Sequence, residues 1–182
     1  MSKSVLDVSV IVTFLNESET IIELLESLNN QTYPIKEVLL IDGGSTDDTV
    51  EKIKDFFLKH KKTPFVVKRK IGNRSIGRNT AIGLSSTELV ACTDAGCIPK
   101  KDWLEKLVKM YKNSGRAVVA GYYAGVAETD FQKAVVPYAL VMPDKVNEKS
   151  FLPATRSLLM EKNVWKTIGG FNESLSDNEN YD

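Results

Sequence analysis

Short apolar runs alternate with amphipathic segments along the first 112 residues. Four runs are rich in β-branched and aliphatic residues and short enough to be strands, at 8–13, 37–41, 65–68 and 89–94. The segments that follow them repeat apolar residues at helical spacing, at 18–30, 46–57, 72–86 and 99–112. This fourfold alternation predicts an α/β fold, in which a mostly parallel, Rossmann-like central sheet is flanked by helices.

The pattern is less regular after residue 115. We predict strands over 116–123 and 157–160, helix plus loop over 127–147, and a short helix over 162–168 that ends at Gly169 and Gly170. At the other end of the chain, Ser18 is the predicted cap of the first helix, and Thr46 or Asp47 that of the second.

Composition narrows the classes of function. The 182 residues carry 24 basic and 24 acidic side chains, so net charge gives no reason to expect nucleic acid or an anionic bilayer as a partner. No apolar run is long enough to cross a membrane, and residues 1–7 lack the pattern of a cleaved signal. The two cysteines, Cys92 and Cys97, have no cluster of His or Cys around them, so we expect reduced thiols and no zinc site.

Three of the predicted strands end in polar residues, at Thr13, Asp42 and Asp94. Right-handed crossovers bring these ends to one edge of the sheet, which is where open parallel sheets bind ligands. Asp94 could accept a hydrogen bond from a sugar hydroxyl or hold a divalent metal, and Gly43 and Gly44 would let the backbone approach a ligand. Taken singly, each feature is equally typical of a turn or a plain loop.

Arg78 lies early in the third predicted helix. Its guanidinium could make a forked contact to a phosphate, or to the base and sugar of a nucleotide. The alternative is a surface ion pair with one of the many acids of the chain.

Several segments, in order, carry a family resemblance: the strand from Val8 with its ending Thr13-Phe14-Leu15-Asn16-Glu17, Ile41-Asp42-Gly43-Gly44-Ser45-Thr46-Asp47-Asp48-Thr49, Gly77-Arg78-Asn79-Thr80-Ala81-Ile82, Thr93-Asp94-Ala95-Gly96 with Trp103-Leu104, and Gly169-Gly170-Phe171-Asn172-Glu173. Together they resemble the family 2 glycosyltransferases, which are inverting enzymes with the nucleotide-sugar-binding fold called GT-A. The resemblance spans nearly the whole chain and implies transfer of a sugar from a UDP- or GDP-sugar to a hydroxyl of a glycan or lipid-linked acceptor.

The resemblance also implies roles for particular residues. Asp94 would meet the donor's ribose or a divalent metal, Mn or Mg, that bridges the two phosphates and acts as a Lewis acid. A carboxylate would take the acceptor's proton as its oxygen attacks the anomeric carbon. The implied donor-binding residues are Thr13, Phe14, Leu15, Asn16, Glu17, Asp42, Gly43, Arg78, Asp94 and Ala95. The implied catalytic residues are Asp94, Asp177, Glu179 and Asp182.

The chain departs from the family pattern at four positions. Leu15 stands where an aromatic residue is common, and Gly43 where a second Asp is common, which leaves the base of the nucleotide open. Gly96 replaces the second acid that usually ligates the metal. Asn180 stands at the usual position of the catalytic base, and because an amide cannot accept a proton there, Asp177, Glu179 or Asp182 would have to take that role.

We therefore expect a single GT-A domain over residues 1–182, with a nucleotide-sugar-binding half at 1–115 and an acceptor-side half at 116–182 that is incomplete at its C-terminal end. A nucleotide-sugar-binding module without turnover is the alternative. A dinucleotide-dependent oxidoreductase is disfavoured, because no Gly-x-Gly-x-x-Gly turn follows the first strand. The expected location is cytoplasmic, with attachment to the inner face of the membrane, through a segment outside this sequence, as the alternative.

Overall fold

The structure is a computed structural model that describes residues 5–140, 145–147 and 154–175. The strands are β1 Val8–Phe14, β2 Glu37–Asp42, β3 Phe65–Arg69, β4 Leu89–Asp94, β5 Val118–Ala120 and β6 Leu158–Glu161. The helices are α1 Ile21–Asn29, α2 Thr49–Lys59, α3 Arg74–Leu84, α4 Trp103–Ser114, α5 Asp130–Ala139 and α6 Lys162–Ile168. A 3-10 turn at Thr155–Ser157 leads into β6.

The six strands form one sheet in the order β3-β2-β1-β4-β6-β5. The first four are parallel, and β6 runs antiparallel to both β4 and β5. Thr13 is in register with Asp94, and Phe14 with Asp42, so the carboxyl ends of β1, β2 and β4 lie side by side. The predicted α/β fold with a mostly parallel sheet, and the predicted edge of polar strand ends, are both confirmed.

Helices cover both faces of this sheet. On one face α1, α2 and α4 pack against the even-numbered residues of β1, which are Val8, Val10, Val12 and Phe14. On the other face α3 packs against Ile11 and the neighbouring strands, with Trp165 of α6 at the margin. β1 and β2 are buried on both faces, which explains why they read as nearly continuous apolar runs.

Several boundary predictions were wrong. The predicted helix at 99–112 begins only at Trp103, and the predicted strand at 116–123 contains three paired residues. The predicted cap of the first helix is wrong: Thr20 is the residue before α1, and the hydroxyl of Ser18 instead donates to Asp48. Asp48 is the residue before α2, but Oδ1 of Asp47, one of the two predicted caps, accepts hydrogen bonds from the backbone N–H and the hydroxyl of Thr49, the first residue of that helix. These polar side chains link two loops to each other, which local patterns do not reveal.

Within the ranges given above, none of the helices is both long and apolar enough to cross a bilayer.

Candidate functional site

An open cleft runs along the carboxyl ends of β1 and β4. Its walls include Trp103 of α4, Tyr122 and Tyr123 after β5, and Arg156 of the 3-10 turn. Seven of the ten predicted donor-binding residues line it: Thr13, Phe14, Leu15, Glu17, Gly43, Asp94 and Ala95. The structure therefore brings most of the predicted set to one surface.

The other three, Asn16, Asp42 and Arg78, are not among the residues that line this cleft. Asp42 and Arg78 are buried and Asn16 is exposed, and each contacts a residue or loop that forms the wall. Their side chains are therefore placed to support the cleft.

Asp42 organises the loop after β2. Its Oδ1 accepts hydrogen bonds from the backbone N–H of Ser45 at 2.7 Å and of Gly44 at 3.0 Å, while Arg69 lies 3.7 Å from Oδ2. Burial alone would raise the pKa of Asp42, but the hydrogen bonds from Ser45 and Gly44, with a smaller contribution from Arg69, outweigh it and hold the pKa below its ordinary value. The carboxylate is therefore charged, and groups of the protein already lie against both of its oxygens.

Asn16 joins the loop after β1 to the same loop. Its backbone φ of 53° lies in the left-handed region, which Asn tolerates better than most residues. Its Oδ1 accepts from the N–H of Thr46 at 2.8 Å, and its own N–H donates to the hydroxyl of Ser45 at 3.0 Å. The segment carrying Leu15 and Glu17 is thereby fixed against the segment carrying Gly43.

Arg78 and Asp94 form an ion pair beneath the cleft, with Nη2 of Arg78 3.0 Å from Oδ1 of Asp94. The Arg78 side chain is only 3% exposed, so it does not form the surface ion pair that was the alternative for this residue, and it is not part of the cleft wall. Its guanidinium also lies over the ring of Phe171. Arg78 thus holds Asp94 from the protein side.

A second guanidinium, that of Arg156, faces the other oxygen of the same carboxylate. Its Nε lies 3.6 Å from Oδ2 of Asp94, and its guanidinium carbon lies 5.3 Å from the centre of the Tyr123 ring. Sequence reasoning missed this residue. The antiparallel register pairs Cys92 with Leu158, and continuing it by two residues sets Asp94 opposite Arg156. Only the pairing of β6 with β4 could have revealed this neighbour.

The predicted turn at Gly169 and Gly170 packs on α3. Both glycines have positive φ, and Gly169 ends α6. The side chain of Asn73 reaches further along the same segment and donates to the backbone oxygens of Glu173 and Leu175, each at 2.8 Å. The candidate bases Asp177, Glu179 and Asp182, and the residue Asn180, lie outside the described residues.

The described residues do not fit a metal centre at Asp94. Both oxygens of Asp94 already face arginines, and Gly96 offers no side-chain ligand. Burial raises the pKa of the nearby Cys92 to about 12, so this thiol stays protonated. Across the part of the chain that the structure describes, no group of three or more His, Cys, Asp or Glu side chains is placed to hold a metal ion.

Curated relatives include several glycosyltransferases. The chain is 34% identical over 116 residues to glycosyltransferase AglE of Haloferax volcanii, a match that covers 63% of this chain and 38% of that protein. It is 27% identical over 179 residues to chondroitin synthase of Escherichia coli, covering 96% of this chain and 25% of the synthase. The chain thus spans less than half the length of these relatives.

Solved structures share the fold. Mannosyltransferase PcManGT from Pyrobaculum calidifontis, in complex with GDP-Man and Mn²⁺, superposes with a TM-score of 0.73 at 22% identity, over 98% of this chain and 51% of that one. TarS of S. aureus in complex with UDP-GlcNAc superposes with a TM-score of 0.72 at 21% identity, over 97% and 51%. At such identities the likeness shows the GT-A fold.

The family assignment rests on the sequence itself. The model of the family described as glycosyl transferase family 2 matches residues 9–168, which runs from β1 through α6 and includes every described residue of the cleft wall. The chain therefore belongs to glycosyl transferase family 2.

Proposed function

We propose that this chain binds a nucleotide-diphospho-sugar in the cleft and transfers the sugar, with inversion, to a hydroxyl of a glycan or lipid-linked acceptor. The observation that carries the proposal is the position of the cleft, at the carboxyl ends of β1 and β4, in a chain that belongs to family 2. Structural neighbours whose complexes contain GDP-Man and UDP-GlcNAc support a nucleotide-sugar donor.

The cleft offers different chemistry along its length. Leu15, at one end, has 53% of its surface exposed and presents an apolar side chain on which a base could pack. Gly43 leaves backbone accessible beside it, and Asp94 with Arg156 lies at the end of β4. We propose that the nucleoside lies against Leu15 and Gly43, and that the diphosphate lies toward Arg156.

The proposed reaction is a single displacement. The acceptor oxygen forms a bond to the anomeric carbon from the face opposite the leaving group, and the bond from that carbon to the phosphate oxygen breaks. The electron pair leaves with the nucleoside diphosphate, and the acceptor proton passes to a carboxylate. Asp177, Glu179 and Asp182 remain the proposed candidates for that base.

The resemblance also implies Mn or Mg, and the Mn²⁺ in the mannosyltransferase complex supports metal use within this fold. The described side chains around Asp94 do not form a site for such a cation. A cytoplasmic location, and association with a membrane through a segment outside this sequence, stay predictions.

Two measurements test the function. First, melting temperatures of the 182-residue chain are compared with UDP, GDP, dTDP, CDP and a nicotinamide dinucleotide, and we expect stabilisation by one nucleoside diphosphate. Stabilisation by the nicotinamide dinucleotide alone would contradict the proposal and favour an oxidoreductase.

Second, release of the nucleoside diphosphate from its sugar conjugate is followed with and without glycan acceptors. Stabilisation without release would favour the binding module without turnover.

A further inference from the structure

Asp94 lies between two guanidinium groups, and this arrangement differs from that of a carboxylate whose oxygens are open to a metal ion. Arg78 engages Oδ1 at 3.0 Å and Arg156 faces Oδ2 at 3.6 Å. A divalent cation at the same oxygens would lie within a few ångströms of two fixed positive charges, and such repulsion is strong where water is partly excluded. Gly96 supplies no second carboxylate to offset it.

The two arginines are placed differently. Arg78 is almost fully buried and does not line the cleft. Arg156 lines the cleft, and 38% of its side chain is exposed. Asp94 therefore has one cationic partner that faces the protein interior and one that faces the donor side.

Arg156 is also held in place from a second side. Its guanidinium lies over the ring of Tyr123, and its backbone belongs to the 3-10 turn that leads into β6. Because Nε is the atom nearest Asp94, the terminal amino groups of the same planar group can donate to another acceptor. A guanidinium presented in this way matches the paired oxygens of a phosphate.

We propose that Arg156 binds the diphosphate of the donor and offsets the negative charge of the departing nucleoside diphosphate, in the role that a divalent cation at Asp94 has in the family pattern. This inference rests on the proposed function. Asp94 then acts as a positioning residue, since it orients Arg156 while Arg78 fixes Asp94 from below. Arg156 contributes only charge and hydrogen bonds to the displacement.

Calorimetric titration of the 182-residue chain tests this proposal. UDP, GDP and the corresponding monophosphates are titrated in EDTA and again with Mn. For the base that binds, we expect the dissociation constant of the diphosphate to agree within about twofold between the two conditions. We expect Arg156→Gln to weaken the diphosphate by about tenfold or more and the monophosphate by much less, because a charge-assisted contact to the terminal phosphate is lost.

Two further variants make the result specific. Arg156→Lys keeps the charge without the fork and should recover part of the lost diphosphate affinity. Arg116→Gln removes an exposed arginine that does not line the cleft, and it should bind both ligands as the original chain does. Together these variants separate a diphosphate contact from a general loss of positive charge.

Some outcomes would overturn the proposal. Diphosphate binding that disappears in EDTA would return the charge-offsetting role to a metal, while leaving the proposed donor in place. Equal weakening of mono- and diphosphate by Arg156→Gln would place the arginine on the nucleoside. If no nucleotide binds under either condition, the proposed function fails and this inference fails with it.

Discussion

The side-chain amide of Asn79 pairs with the backbone of Phe171. Its Oδ1 accepts from the N–H of Phe171 and its Nδ2 donates to the carbonyl oxygen, each at 2.9 Å. The same Oδ1 also accepts from Nε1 of Trp165 at 2.8 Å. A Cβ on Gly170 would lie 2.9 Å from this oxygen, so the pairing requires glycine at that position. Asn79 thus fastens the turn after α6 onto α3.

Asn79→Ala should lower the free energy of unfolding by about 1–3 kcal/mol, because several hydrogen bonds of the turn lose their partner together. Urea unfolding followed by far-UV circular dichroism measures the change. Asn113→Ala is the control, since Asn113 is exposed on α4 and Ala is the better helix former. Equal losses in the two variants would show that the turn does not depend on Asn79.

Local patterns predicted the first four strands, because apolar runs and the turn residues that end them are encoded within a few neighbours. They also predicted which polar strand ends share an edge, since parallel order follows from right-handed crossovers. They could not predict the partners of Asp94. The position of Arg156 depends on β6 pairing antiparallel with β4, and that of Arg78 depends on how α3 rotates against the sheet. A short window of sequence predicts neither this strand pairing nor this helix rotation.

The same limit applies to the supporting residues of the cleft. Asp42 was correctly predicted at the end of a buried strand, but a strand end does not reveal that its oxygens already bind Ser45 and Gly44. Hydrogen bonds between loops, such as Asn16 to Thr46, depend on backbone conformations that composition leaves open. The sequence therefore identifies the edge of the sheet better than it identifies which side chains face the ligand.

Gly77 marks the closest approach of α3 to the sheet. An added Cβ would lie 2.6 Å from Cγ2 of Thr13, so Gly77→Ala should destabilise the fold by about 1–3 kcal/mol through overpacking. Gly83 is the matched control, because it lies in the same helix and an added Cβ would meet nothing within 4 Å. Gly83→Ala should instead stabilise by about 0.4–1 kcal/mol. Thermal unfolding of both variants checks the opposite signs, and a neutral Gly77→Ala would show that Thr13 can move aside.

Asp42 should contribute to acid sensitivity. Its pKa in the folded state lies below the ordinary value of 3.8, so its contribution to stability is complete above that pH and is lost as the pH falls toward the folded-state pKa. Asp42→Asn should flatten the dependence of stability on pH below 3.8, by at most about 1.4 kcal/mol per pH unit. Urea unfolding at a series of acidic pH values measures this slope, with the exposed Asp55→Asn on α2 as control. Parallel curves for Asp42→Asn and the original chain would contradict the assignment.

Leu15 should contribute to nucleotide affinity without contributing much to folding. About half of its surface is exposed in the cleft, so a bound base would cover area that is now in contact with water. Leu15→Ala should weaken binding of the preferred nucleoside diphosphate by about 0.5–1.5 kcal/mol. Leu58→Ala, on α2 and outside the cleft, removes a similarly exposed side chain and should leave the dissociation constant unchanged. An unaltered affinity in Leu15→Ala would place the base elsewhere.

Asp94→Ala should affect folding as well as donor binding, because it leaves the buried guanidinium of Arg78 without its carboxylate. We expect the free energy of unfolding to fall by about 2–4 kcal/mol. This is somewhat less than the cost of removing one partner of a fully buried ion pair, because Asp94 is partly exposed. Arg78→Met in the same background should recover part of this loss, with a coupling energy of about 1 kcal/mol or more. Asp130→Ala breaks an ion pair of nearly the same length, 3.1 Å to Lys133, but at an exposed position, where solvent screens the charges. A small loss for Asp130→Ala beside a large loss for Asp94→Ala would show that burial determines how much an ion pair stabilises the fold. Strictly additive losses for Arg78→Met and Asp94→Ala would mean that the two side chains are not coupled.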